Sequence, residues 1–230
     1  MTKANQPSTN TTPPAADRSA LARVGRDVRA RLDDDPGAQR IVSDAAEVWA
    51  IPEFLSETEC TRLRAMIDAV ARPSTLFTPN PDIPYRTSYS GDVDRADPFV
   101  RMIERRIDDL LGIEPEWGES VQGQRYQPGQ EFREHCDWFW TLADYWPAEV
   151  RRGGQRAWTA MAYLNTVEEG GTTEFPRIGV SVPPQQGALL VWNNARPDGD
   201  INWDTTHASR PVVRGVKYVI TKWYRTRKWG

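Results

Sequence analysis

The chain has 230 residues and a net charge of −3, so it is long enough to bury a proper core and carries no cationic excess of the kind a general nucleic-acid binder needs. Hydrophobic residues at 39% and charged residues at 27% fit a globular chain in water, and no apolar run reaches membrane-spanning length. Cys60 and Cys136 are the only cysteines, too few for a disulfide framework or a zinc pattern, and are expected to be free thiols in a reducing cytoplasm.

Residues 1–17, rich in Thr, Asn, Pro and Ala, are expected to form a disordered tail without the apolar segment of a secretory signal. Residues 18–46 read as an N-terminal helical arm. Leu21, Val24, Val28 and Leu32 recur at helical spacing, which predicts a helix over Ser19–Leu32 that ends at Asp33-Asp34-Asp35-Pro36-Gly37. That helix either packs on its own domain or makes an oligomer contact, and the sequence leaves the oligomeric state open. The main domain is expected over residues 47–230. Glu47–Ile51 reads as a strand. Ser56-Glu57-Thr58-Glu59 fits a capping box, followed by an apolar stripe of Leu63, Met66, Ile67 and Val70. Arg72–Asp97 reads as loop. A helix is predicted over Pro98–Leu111, with Phe99, Ile103, Ile107 and Leu110 on one side and Gly112 as its stop.

After Gly112 the apolar period shifts toward alternation. Strands are predicted near 121–127, 157–164, 188–193 and 212–224, separated by turns such as Gly170-Gly171 and Pro183-Pro184. Helices first and many short strands later imply an α+β fold, with a double-stranded β-helix (jelly roll) core and flanking N-terminal helices.

The chain has two histidines, His135 and His207. In a strand, His135 and Asp137 return to the same face, while Cys136 between them points away. With His207 they make two imidazoles and one carboxylate, the donor set of the facial triad of non-heme Fe(II) oxygenases. Lys217 lies in Gly215-Val216-Lys217-Tyr218-Val219-Ile220-Thr221-Lys222-Trp223. Alternation puts Lys217, Val219, Thr221 and Trp223 on one face and Val216, Tyr218, Ile220 and Lys222 on the other. Either Lys217 faces the interior, where its ammonium requires an anionic partner such as a bound carboxylate, or it faces solvent on an edge strand.

The segment Gln124-Arg125-Tyr126-Gln127-Pro128-Gly129-Gln130-Glu131-Phe132-Arg133-Glu134-His135-Cys136-Asp137 resembles the Tyr-x-x-Gly-x-x-(aromatic)-x-x-His-x-Asp signature of the prolyl 4-hydroxylase-like Fe(II)/2-oxoglutarate-dependent dioxygenases. Gly170-Gly171-Thr172-Thr173-Glu174-Phe175-Pro176 resembles that family's Gly-Gly-Glu-Thr-x-Phe-Pro turn, with Thr172 in place of Glu. Pro183 and Gly187-Ala188-Leu189-Leu190 are similar to its next element, and His207, Pro211-Val212, Gly215, Lys217 and Trp223 to its closing motif. The resemblance runs from about residue 48 to residue 225.

The resemblance implies a hydroxylation at an unactivated C–H bond, with release of succinate and carbon dioxide. The cofactors implied are Fe(II), 2-oxoglutarate, O2 and ascorbate. His135, Asp137 and His207 would be the catalytic metal ligands. Lys217, Tyr126 and Thr173 would hold the far carboxylate of 2-oxoglutarate. Arg86, Ser88 and Arg156 match substrate-binding positions, and Trp223 matches a tryptophan near the active site that equally fits the core. The substrate implied is a peptidyl proline. A free amino acid or other small molecule is the alternative, and a non-catalytic metal-binding jelly roll is the alternative of another class. Neither a membrane nor a nucleic-acid partner is expected. Two departures bear on substrate: Arg225 stands where several relatives have His, and the aromatic stretch Trp138–Pro147 follows Asp137 directly and is expected to wall the cleft.

Overall fold

The computed structural model describes residues 14–41, 43–75 and 85–230. Most of the expected tail therefore lies outside the described residues, as do residues 76–84 of the expected loop. In chain order the elements are α1 (Arg18–Asp34), β1 (Gln39–Ile41), β2 (Val48–Ile51), α2 (Glu57–Val70), β3 (Arg72–Pro73), β4 (Tyr89–Asp92), α3 (Pro98–Leu111), β5 (Gln122–Tyr126) and β6 (Phe132–His135). There follow α4 (Trp146–Arg151), β7 (Arg156–Tyr163), β8 (Glu169–Gly170), β9 (Thr173–Phe175), β10 (Val180–Val182), β11 (Leu189–Asn193), β12 (His207–Ser209), β13 (Val212–Arg214) and β14 (Lys217–Arg225).

Two antiparallel sheets make the jelly roll. The large one has the order β1-β2-β11-β7-β14-β5-β4-β3 and the small one β10-β9-β12-β6. Alternation along the large sheet divides its side chains between two cores. Trp49, Trp158, Ala160, Ala162, Leu189, Val191 and Ile220 face the helices, and meet Leu21, Val24, Val28 and Leu32 of α1, Leu63 and Ile67 of α2, and Ile103 and Ile107 of α3. Tyr126, Met161, Tyr163, Leu190, Trp192 and Val219 face the small sheet and meet Phe175 from β9. The molecule is thus three layers: helices, large sheet, small sheet.

Local chemistry explains where the helices stop. Ser56 accepts from the Glu59 amide while the Glu59 carboxylate accepts from the Ser56 amide, closing the capping box of α2. Pro98 occupies the first turn of α3, and Gly112 ends it at φ 65°, a left-handed conformation that costs glycine nothing. The described part of the 18–46 stretch packs on its own domain, the first of the two arrangements the sequence left open. The apolar stripe of α1 is buried in the main core, and β1 pairs with β2, with Arg40 opposite Trp49. The loop expected over Arg72–Asp97 contains two strands, β3 and β4, that extend the sheet beyond β5. Polar Tyr-Ser-Gly-Asp gives no apolar alternation, so β4 is held by backbone pairing at the sheet margin instead.

Candidate active site

Strand pairing assembles the site. β12 pairs with β6 so that His207 lies opposite His135, and β14 pairs with β5 so that Lys217 lies opposite Tyr126. Between the two sheets is a cavity of about 390 Å³, counting its open mouth. His135, Asp137 and His207 line it near one end, and Lys217, Thr173, Ser209 and Tyr126 also contribute to its wall.

The donor atoms of His135, Asp137 and His207 all fall within 4.8 Å of one another. His135 Nε2 is 4.0 Å from Asp137 Oδ1, and His207 Nε2 is 3.7 Å from Asp137 Oδ2. Asp137 is not in the strand: β6 ends at His135, and Asp137 follows in a bend. Its direction is set by a hydroxyl instead. Thr159 on β7 donates to Asp137 Oδ2 at 2.8 Å, and the same hydroxyl oxygen accepts from Asn194 Nδ2 at 2.9 Å. Each imidazole is oriented by its own backbone neighbourhood: His135 Nδ1 is 2.8 Å from the Arg133 carbonyl and His207 Nδ1 is 3.0 Å from the Thr205 carbonyl. Donation from Nδ1 leaves Nε2 unprotonated and aimed at the cluster, which is the tautomer a metal ligand needs.

Electrostatics favour a neutral His135 ring. Burial, with His207 alongside, pushes the His135 pKa down to about 3, so the ring is neutral near pH 7 although 17% of its side-chain surface stays accessible. Burial works to raise the Asp137 pKa, but His207, His135 and Arg156 outweigh it and hold the carboxyl below its usual value. Two imidazoles and one carboxylate, convergent and largely buried, fit a hard-to-borderline divalent ion such as Fe(II).

Also on the cavity wall, Lys217 is 1% exposed. Its Nζ donates to Ser209 Oγ at 2.8 Å and lies 3.4 Å from Thr173 Oγ1, and among the described residues no carboxylate pairs with it. Burial alone lowers its pKa to about 7. Tyr126 donates to Gln124 Oε1 at 2.7 Å, and Gln124 donates onward to Thr221 Oγ1 at 3.1 Å. Alternation along β14 puts Lys217, Val219, Thr221 and Trp223 on the cavity wall, and β14 lies inside the large sheet between β7 and β5 rather than at its edge.

The structure brings His135, Asp137, His207, Tyr126, Thr173, Lys217 and Trp223 to one cavity. Arg86, Ser88 and Arg156 lie just behind that wall, Arg86 and Ser88 against Tyr126 and Arg156 beside Trp223 and Asp137. Arg86 lies over the Phe132 ring at 4.8 Å and donates to Ser88 Oγ and Gln122 Oε1. Ser88 is 1% exposed and also bonded to Ser74, so it braces the wall from behind. Arg156 donates from Nε and one terminal nitrogen to the two Glu119 carboxylate oxygens, at 2.7 and 2.8 Å, and lies 4.0 Å from the Trp223 ring centre, so it supports that indole. Arg225 is consumed in the same network, donating to Glu119, Glu149 and the Gly154 carbonyl. The Trp138–Pro147 stretch does not line the cavity: Phe139 packs over Arg156 and Arg225, and Trp146 is buried with its indole donating to the Pro14 carbonyl.

Sequence reasoning passed over Thr159, Asn194, Ser209, Gln124 and Thr221. The signal available was polarity inside otherwise apolar strands, such as Thr159 in Ala157-Trp158-Thr159-Ala160-Met161. A buried hydroxyl there has to find a partner.

Residues 121–225 match the sequence profile of the 2OG-Fe(II) oxygenase superfamily. The chain is 31% identical over 218 residues to probable prolyl 4-hydroxylase 8 of Arabidopsis thaliana, covering 82% of this chain and 72% of that protein. It is 33% identical over 200 residues to prolyl 4-hydroxylase 5 of the same plant, covering 76% and 67%. Among solved structures, the viral collagen prolyl hydroxylase of Paramecium Bursaria Chlorella virus-1, in its 2OG complex, superposes with a TM-score of 0.61 at 27% identity over 76% of this chain and 94% of the other. A Pseudomonas putida prolyl-4-hydroxylase shares the fold, with a TM-score of 0.56 at 22% identity over 87% and 99%.

Proposed function

The chain belongs to the 2OG-Fe(II) oxygenase superfamily, among the prolyl 4-hydroxylases, and from that premise we propose that it hydroxylates a prolyl residue in a peptide or protein. The observation that carries the reading is Lys217, a buried ammonium with no carboxylate partner among the described residues, in the cavity that the His135, Asp137 and His207 triad also lines. A dicarboxylic keto acid fills both needs at once: one end for the metal, the other for the lysine.

When bound, Fe(II) would activate O2 at the expense of 2-oxoglutarate, one oxygen atom going into the hydroxylated C–H bond and the other into succinate, with carbon dioxide released. The protein does the rest. His135 and His207 offer Nε2 because backbone carbonyls take Nδ1–H. Asp137 is aimed by the Thr159 hydroxyl, which itself is fixed by Asn194. Lys217, assisted by Ser209 and Thr173, holds the far carboxylate so that the co-substrate enters in one orientation. Tyr126 and Gln124 provide hydroxyl and amide groups beside it. Phe132, stacked on the His135 ring at 3.6 Å, and Met161 and Trp192 keep the walls apolar and exclude water. Ascorbate dependence is part of the proposal and is read by the number of turnovers with and without it.

The test is anaerobic addition of Fe(II) and 2-oxoglutarate to metal-free protein. A visible charge-transfer band that is absent in His207→Ala and weakened in Lys217→Ala is expected, followed by succinate release with proline-containing peptides and none with free proline. Iron binding without a band, or without any 2-oxoglutarate consumption, would leave a metal-binding jelly roll and overturn the reading.

A further inference from the structure

Two strand pairs each bring a strand start beside a strand end, and the Thr159–Asp137 bond joins the two. β6 ends at His135, β7 begins at Arg156, β11 ends at Asn193 and β12 begins at His207. The two connections between them, residues 138–155 and 194–206, therefore form the rim on the metal-ligand end of the jelly roll. Among the described residues six large hydrophobic side chains are exposed, and three are on this rim: Trp140 at 45%, Leu142 at 86% and Trp203 at 39%. Two of them meet. The Trp140 and Trp203 rings stack with centroids 5.5 Å apart and planes inclined by 26°. Arg177, itself exposed, places its guanidinium 5.8 Å from the Trp203 ring centre and has no carboxylate at ion-pair distance among the described residues. The neighbouring Asp204 is already faced by Arg196 at 4.0 Å.

Exposed aromatics gathered beside a catalytic mouth mark a contact surface, not core filling. The site would open directly onto this one, because each tryptophan is tethered to a triad residue. Trp140 is three residues after Asp137 and Trp203 four before His207, so at most roughly 11 to 14 Å of extended chain separates indole-bearing backbone from ligand-bearing backbone. A polyproline II segment advances about 3.1 Å per residue, so that distance corresponds to about three to five residues of substrate. Aromatic faces are the usual receptors for polyproline II ridges, and an unpaired arginine beside them adds a demand for negative charge.

We propose that Trp140, Trp203 and Arg177 form a docking platform for the flank of the peptide substrate, selecting a proline-bearing segment with an acidic residue about three to five positions from the residue that is hydroxylated. The inference rests on the peptidyl-proline reading above and deepens it to a sequence preference.

The test compares peptides that share one central proline tripeptide and differ only in the flank, placed on either side: proline with glutamate, proline with lysine, or glycine and serine. With the wild-type enzyme the KM for the proline–glutamate flank is expected to be about tenfold below that for the glycine–serine flank. Trp203→Ala and Trp140→Ala are expected to erase that difference, and Arg177→Glu to reverse the order of the glutamate and lysine peptides. Retention of the anaerobic iron–2-oxoglutarate band in each variant shows that the fold and the cavity persist. Equal KM values for all flanks in the wild type, or an unchanged glutamate preference in Arg177→Glu, would overturn the platform while leaving prolyl hydroxylation standing. Failure of every proline peptide to stimulate succinate release would overturn both.

Discussion

Lys217 and Lys222 are five residues apart on β14, each 1% exposed, and they point to opposite faces of the large sheet. Lys222 meets Glu104 at 3.2 Å and Asp108 at 3.1 Å from α3, and the Tyr224 hydroxyl donates to the same Asp108. Lys217 meets two hydroxyls and no carboxylate among the described residues. One strand thus carries a neutralised cation that ties sheet to helix and an unneutralised one that faces the cavity. The difference follows from what is packed on each side, and it separates a structural role from a functional one without reference to any relative.

The contrast predicts opposite stability effects. Lys217→Met removes a buried group whose charged form has no counter-charge, so the melting temperature should rise while 2-oxoglutarate affinity falls by about a hundredfold. Lys222→Met leaves Asp108 with the Tyr224 hydroxyl but no cation, and Glu104 with Arg95 alone, so it should destabilise the fold by about 3 kcal/mol. Thermal unfolding of both variants, paired with 2-oxoglutarate titration, measures this; a lower melting temperature for Lys217→Met than for wild type would refute it.

Lys217 also sets a pH dependence. Its folded pKa is about 7 against an ordinary value of 10.5, so the fold binds fewer protons than the unfolded chain between those limits. The stability cost is complete below about pH 7 and is relieved as pH rises toward 10.5. Co-substrate binding runs the other way, because a carboxylate needs the ammonium. The 2-oxoglutarate dissociation constant of the iron-loaded enzyme should climb above about pH 7, approaching tenfold per pH unit. A pH series of anaerobic titrations reads it, and Lys217→Met should flatten the curve.

Thr159→Val keeps the shape of the side chain but removes the hydroxyl that aims Asp137 and satisfies Asn194. Iron affinity should fall by about 10- to 100-fold. Equilibrium metal binding monitored with a competing chelator gives the number, and unchanged affinity would mean that the bend at Asp137 holds its own geometry.

Gly123 on β5 sits so close to α2 that a Cβ there would lie 2.3 Å from Ile67 Cγ1. Gly123→Ala should therefore push α2 off the sheet and cost about 1–3 kcal/mol. Urea unfolding checks it, with the metal-ligand side of the sheet left intact.

The sequence made some parts legible and concealed others for physical reasons. α2 and α3 could be read because their ends carry their own stop signals, Ser56 with Glu59, and Pro98 with Gly112. β14 could be read because nine residues give enough alternation to divide two faces. Three-residue strands such as β9, β10 and β12 are too short to show a period, and they exist through pairing alone. The metal-ligand positions were visible because the chain has two histidines to offer. The brace behind them was not, because Thr159, Asn194 and Ser209 are common residues whose meaning is only a neighbour in space. The carboxylates that hold Arg156 and Arg225 were hidden for the same reason: Glu119 and Glu149 are common residues whose pairing is visible only in space.

His135 and His207 face each other across a strand pair although they are 72 positions apart in the chain. During synthesis the first half of the triad leaves the ribosome well before the second, and Lys217 later still. A nascent chain therefore has no complete iron site to expose to oxygen until most of the sheet has closed around it. The three metal ligands are together only once β12 is made, and the lysine for the co-substrate only once β14 is made, so half-made protein should neither hold iron in a full triad nor turn over co-substrate.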